Sequence, residues 1–183
     1  MEKRTEDFLL AEYRTMAESF WRNEEAGERR VNFLITLVTA VIGAIIALVN
    51  QSDLTRETVY FAALFALLAL LIFGIVTLMR LIRRNRVTDE YKHAMDLVRS
   101  FFRGQDERLQ GYEPFPARSR RLPGTGGLVD TVSVVNSLVV MAIAILFGLL
   151  FRLIPAAIGI IGCATFLASE FCHYWFVKRQ NES

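Results

Sequence analysis

Five side chains sit where an apolar chain has little use for them. Glu170 and His173 lie in the stretch Ile154–Val177, and Ser133, Asn136 and Ser137 lie in the stretch Thr131–Phe151. A spacing of three sets Glu170 and His173 on one face of a helix. A carboxylate beside an imidazole can relay protons, attract a cation, or tie two helices together by hydrogen bonds. On insertion scales a charged residue at mid-bilayer costs about 2.5–3.5 kcal/mol, and such residues face a partner or water. Two readings of the five residues follow: a polar layer lining a path, or a clamp that fixes helix packing. The Glu-x-x-His pair also occurs in di-metal bundles, but those need further carboxylates that no apolar stretch here supplies. Neither a metal nor any other cofactor is expected.

Other chemistry finds little footing. Cys163 and Cys172 are the two cysteines, nine apart within the last apolar stretch, which excludes a disulfide framework and matches no zinc spacing. The run Pro123-Gly-Thr-Gly-Gly lacks the Gly-Lys-Ser/Thr ending and the preceding strand of a phosphate loop. With no Ser-His-Asp set, no workable carboxylate pair and no nucleotide fingerprint, the chain reads as no enzyme.

The elements that must position these residues are apolar runs of unusual purity. Val31–Val49, Val59–Met79, Thr131–Phe151 and Ile154–Val177 total 85 of the 183 residues and hold one of the 40 formal charges, Glu170. A soluble core mixes charge and apolar side chains at helical or strand period, since each element needs a wet face. A bilayer core about 30 Å thick needs about 20 apolar residues as helix, and backbone amides in hydrocarbon must be satisfied within the segment. Four transmembrane helices are therefore expected. The first run starts at residue 31 and is too long for a signal-peptide core.

Charge sets their direction. Of the 21 Lys and Arg, 19 fall in residues 1–30, the 80–130 loop or the tail after Val177; Arg56 and Arg152 lie in the other two connections. The positive-inside rule places both termini and the long loop in the cytoplasm. The basic bias points to topology and anionic lipid, with no nucleic acid as partner.

If the last two runs fold about a turn near Leu153, Glu170 comes level with Asn136 and His173 level with Ser133, with Ser137 close by. Hydrogen bonds across such a contact contribute about 0.6–2 kcal/mol each. Ala40, Gly43, Ala44 and Ala47, then Ala62, Ala66 and Ala69, and finally Gly159, Gly162 and Cys163 form small-residue stripes that permit close helix contact.

Outside these runs, residues 8–26 read as an amphipathic helix carrying Leu9, Tyr13, Met16, Ala17, Phe20 and Trp21 at steps of three and four. Gly27 loosens its join to the first span. Val87, Tyr91, Ala94, Met95, Val98, Phe101 and Phe102 continue one stripe, and no Gly or Pro lies between Gly74 and Gly104, so the second span runs on as helix to Arg103. These two amphipathic pieces either lie on the inner leaflet or, as we expect, pack on each other, with Tyr13, Phe20, Trp21, Tyr91, Met95, Phe101 and Phe102 as contacts. Residues 104–128 hold eight Gly or Pro and exclude a long helix; Arg118, Arg120 and Arg121 there suit lipid headgroups.

The segment Leu10-Ala-Glu-Tyr-Arg-Thr-Met-Ala-Glu, and later Tyr91, Ala94-Met95 and Phe101-Phe102, frame a two-span hairpin with a helix on each side. Over residues 5–103 this arrangement resembles SLATT-type bacterial membrane effector proteins, associated with nucleotide-sensing conflict systems. That resemblance implies assembly into membrane-disrupting pores. The second hairpin, 129–177, lies outside it.

The expected architecture is an all-α membrane protein with four transmembrane helices in two hairpins and a small cytoplasmic helical layer. Its parts are an amphipathic helix 1–30, a hairpin 31–82, a cytoplasmic helix 83–103, a loop 104–128, a hairpin 129–177 and a tail 178–183. The expected function is a homo-oligomeric, channel-like effector in the lipid bilayer, gated through its cytoplasmic helices by a protein partner. The alternative is a non-conducting scaffold that docks a soluble partner. A small transporter fits less well, since no inverted repeat and no span broken at mid-membrane is seen.

Overall fold

A computed structural model of the chain describes residues 3–50, 55–105 and 127–182. These residues form four α-helices and, among the described residues, no strand: α1 (Lys3–Val49), α2 (Arg56–Gln105), α3 (Leu128–Leu150) and α4 (Pro155–Glu182). Each is long and apolar enough to cross a membrane, the mark of an integral membrane protein. At 1.5 Å per residue, α1 and α2 are about 70 and 75 Å long, more than twice a hydrocarbon core. The excess is the charged part of each helix.

Local signals set the helix ends. Thr55 caps α2, its Oγ1 accepting from the Thr58 amide at 3.3 Å, and Glu57 adds an acidic residue to the first turn. Gly127, with φ of 127°, starts α3 in a conformation that L side chains rarely adopt, and Asp130 follows in the first turn. At the other end of α3 the Leu153 amide donates to Gly148 O at 2.9 Å and the Arg152 amide to Leu149 O at 3.1 Å. This pair of bonds is a Schellman motif, with Arg152 at φ 54° in the position that usually holds glycine. Pro155 then opens α4, where its missing N–H costs nothing.

The chain divides into two units. One combines Met1–Glu28 with Arg83–Leu122, the other Arg29–Ile82 with Pro123–Ser183. In the second unit Val31 and Leu34 of α1, Leu67, Leu70, Leu78, Leu81 and Ile82 of α2, and Val129, Val132 and Val139 of α3 form one buried cluster. Helix α4 packs along α3, where a methyl on Gly162 would stand 3.2 Å from Ile145 and one on Gly148 2.8 Å from Ile158. Gly43 and Gly159 have nothing within 4 Å of where a Cβ would sit. Gly162 is thus the glycine of the expected stripes that serves an internal contact. In the first unit α1 and α2 run antiparallel: Tyr13 meets Arg99, Phe20 meets Lys92, and Asn23 meets Thr88.

The continuous α2 agrees with the expected run to Arg103. Helix α1 differs from expectation. It passes through Gly27 without a break, because the glycine is filled from across the pair: a Cβ there would overlap the Arg84 guanidinium. Of the expected loop 104–128, residues 106–126, including Arg118, Arg120 and Arg121, lie outside the described residues.

Candidate functional site

Within the membrane-type unit, α3 and α4 bring a polar layer together. Ser137 Oγ donates to Ser169 Oγ at 3.0 Å and lies 3.4 Å from His173 Nδ1. Ser169 and His173 are one helical turn apart on α4, so a single α3 hydroxyl joins both. Ser133 and Asn136 are buried on α3 one turn or less away. Ser137 and Ser169 stand at the equal depth that a turn near Leu153 requires.

The facing of these residues corrects the expected pairs. Asn136 is 1% exposed and packs on Gly74 of α2, where a Cβ would overlap its Oδ1. Successive residues on a helix point about 100° apart. With Ser137 turned to α4, Asn136 must turn away from it, so it does not bond Glu170. The contact of His173 is to Ser137, and Ser133, four residues earlier, lies one turn away on the same side of α3.

Two atoms of this layer are buried without any hydrogen-bond partner: Asn136 Nδ2 and Glu170 Oε1. Each carries a desolvation cost that a closed clamp would have removed. Glu170 is half-buried, and its Oε1, shielded and without a donor, is the chemical anomaly of this region. Among the described residues no three His, Cys, Asp or Glu side chains come together as a metal site.

The charged unit holds a second polar cluster, which sequence reasoning missed. Arg84 is buried, with Nη2 3.6 Å from Glu24 Oε1, Nη1 donating to Glu24 O at 3.4 Å and Nη2 to Asn85 Oδ1 at 3.0 Å. Thr88 Oγ1 donates to Glu24 Oε1 at 3.4 Å, and Asn23 Nδ2 donates to Thr88 Oγ1 at 2.9 Å. Arg84 Nε is buried without a partner. Gly27 makes the room for this guanidinium, so the cluster ties α1 to α2 through a charge held nearly out of water.

The aromatic residues expected between these helices divide. Met95 is buried, and Tyr91 and Phe102 are half-buried. Tyr13 Oη accepts from Arg99 Nη2 at 2.7 Å, with the guanidinium 5.5 Å from the ring centre, and Lys92 Nζ lies 5.8 Å from the Phe20 ring centre. Partial burial opposes the charge on Arg99, but the Tyr13 and Asp96 contacts outweigh it and hold the guanidinium pKa above its ordinary value. Trp21 is 69% exposed and Phe101 exposed, and each makes an edge-to-face ring contact with its chain neighbour, Phe20 or Phe102. Of the expected stripe, Met95 is buried and Tyr91, Ala94, Val98 and Phe102 are half-buried, whereas Val87 and Phe101 are exposed and the neighbour of Val87, Thr88, is buried instead.

Comparison of the chain with family models, with curated proteins and with solved structures finds no match in any of the three.

Proposed function

We propose that this protein is a channel-like membrane effector, assembled from several copies, whose polar layer at Glu170 faces a conducting path. In this reading α1 with α2, and α3 with α4, are two transmembrane hairpins in a bacterial inner membrane. Both termini lie in the cytoplasm, and the charged helix pair forms a cytoplasmic layer through which a protein partner gates the path. The reading is non-enzymatic.

The observation that carries it is the unpartnered carboxylate oxygen of Glu170, buried close to the hydrogen-bonded Ser137, Ser169 and His173. Intramembrane charges are kept where they meet a partner, water or an ion. One such group in one chain cannot surround a path, whereas repeated copies place a ring of them at one depth. Large exposed apolar side chains on the same unit, among them Phe65, Ile160 and Phe171, fit lipid and sister copies equally, and the open faces at Gly43 and Gly159 leave room for close helix approach. The resemblance of residues 5–103 to SLATT-type effectors points the same way.

A second reading, a non-conducting scaffold, draws on the Ser137 bonds to Ser169 and His173, which by themselves make a helix clamp. Ion and dye release from liposomes containing the purified protein separates the two, measured alone and with the protein products of neighbouring genes. Release supports the channel. Tight vesicles under every condition would leave the scaffold.

A further inference from the structure

Arg29 and Arg30 come just before the first apolar run, and Arg80 just after the second. Because α1 and α2 pack side by side, these distant positions close on one cleft of about 190 Å³, lined by the three arginines with Phe33, Phe73 and Thr77. The two rings meet edge to face, their centres 5.7 Å apart. Thr77 Oγ1 is spent on the Phe73 carbonyl at 2.9 Å, so the polar character of the cleft comes from guanidinium groups. Among the described residues no acidic side chain lines it.

The order of chemistry along this cleft matches one kind of molecule. Three planar cations at the charged end suit the non-bridging oxygens of a phosphate, which guanidinium groups bind in pairs of parallel hydrogen bonds. Two aromatic faces follow on the side of the apolar runs, where a phospholipid carries its glycerol and first acyl carbons. A soluble phosphate compound would leave those rings uncovered, and a zwitterionic lipid would bring its own cation against the arginines.

We propose that Arg29, Arg30 and Arg80 bind the headgroup phosphate of an anionic phospholipid, with Phe33 and Phe73 against its glycerol and upper acyl chain. The inference rests on the four helices lying in a bilayer and is independent of conduction, so a silent flux assay leaves it standing. Lipid retention by the full-length protein in mixed micelles, followed by native mass spectrometry, tests it directly. Phosphatidylglycerol is expected to bind about tenfold or more tightly than phosphatidylcholine, the order of one charge-assisted hydrogen bond. The triple change Arg29→Gln, Arg30→Gln, Arg80→Gln is expected to abolish that preference. Arg22→Gln, at an exposed residue paired with Glu18, is expected to keep it. Helicity and elution volume report whether each variant is folded, and Arg80→Gln alone, with a several-fold loss expected, serves if the triple variant fails to fold. Equal retention of both lipids by the native protein would overturn the proposal, as would a folded variant that keeps the preference. Inorganic pyrophosphate binding as tightly as the anionic lipid would also overturn it, by assigning the cleft to a free phosphate.

Discussion

Gly74 of α2 is the space that the Asn136 amide of α3 occupies: a Cβ on the glycine would overlap the amide oxygen. The two residues set how closely α2 and α3 approach at the depth of the polar layer. Alanine elsewhere in a helix gains about 1 kcal/mol over glycine, while overpacking a filled interior costs about 1–3 kcal/mol. Gly74→Ala is therefore expected to lower stability by about 1–2 kcal/mol. Gly43→Ala, facing open space, is expected to be neutral or to gain up to about 1 kcal/mol. Thermal unfolding of both variants in one detergent checks the opposite signs.

Arg84 links α1 to α2 through Glu24. Removing the guanidinium strands a carboxylate that is only 30% exposed, so Arg84→Ala is expected to cost about 1.5–3 kcal/mol. Pairing an apolar residue at each end, Arg84→Met with Glu24→Leu, is expected to recover most of that loss, since the pair lost much of its hydration on burial. A double-mutant cycle on unfolding free energy measures the coupling; simple additivity would show that the two residues do not interact.

Arg152 holds a left-handed backbone at the end of α3. Such a conformation costs an L-residue about 1–2 kcal/mol, part of which glycine returns through its greater freedom in the unfolded chain. Arg152→Gly is expected to stabilise by about 0.5–1 kcal/mol, and Arg152→Ala to show no such gain. The difference in unfolding midpoint between the two variants is the readout.

Ser137 is the hub of the α3–α4 layer. Ser137→Ala removes both contacts and is expected to cost about 0.6–2 kcal/mol. Ser169→Ala removes one and is expected to cost less. If the two variants unfold alike, the His173 contact contributes nothing.

What the sequence revealed and what it hid both follow from how helices present residues. Charge segregation is a property of long windows, so four apolar runs and their ends could be read without knowing any contact. Depth along α3 and α4 was legible as well, because rise per residue is fixed and the turn could be placed; Ser137 opposite Ser169 reflects that. Facing was not legible. A shift of one residue turns a side chain about 100°, which separated Asn136 from Glu170 and moved burial from Val87 to Thr88. Along α2 the buried positions Leu67, Leu70, Gly74, Thr77, Leu81, Arg84 and Thr88 step by three and four residues without interruption. That spacing stands in the sequence, but Arg84 and Thr88 carry polar side chains, so an apolar periodicity gives no sign of them. Gly27 likewise read as a weak joint because its occupant, the Arg84 side chain, comes from 57 residues away.

A conducting role for this protein requires that Glu170 face a path. Conductance of the reconstituted protein before and after Glu170→Gln measures this, with assembly mass determined on the same samples. Neutralising the carboxylate is expected to change conductance or ion preference several-fold while the number of copies per particle stays the same. A variant that conducts like the native protein, or a native protein that is a strict monomer in a conducting membrane, would contradict it.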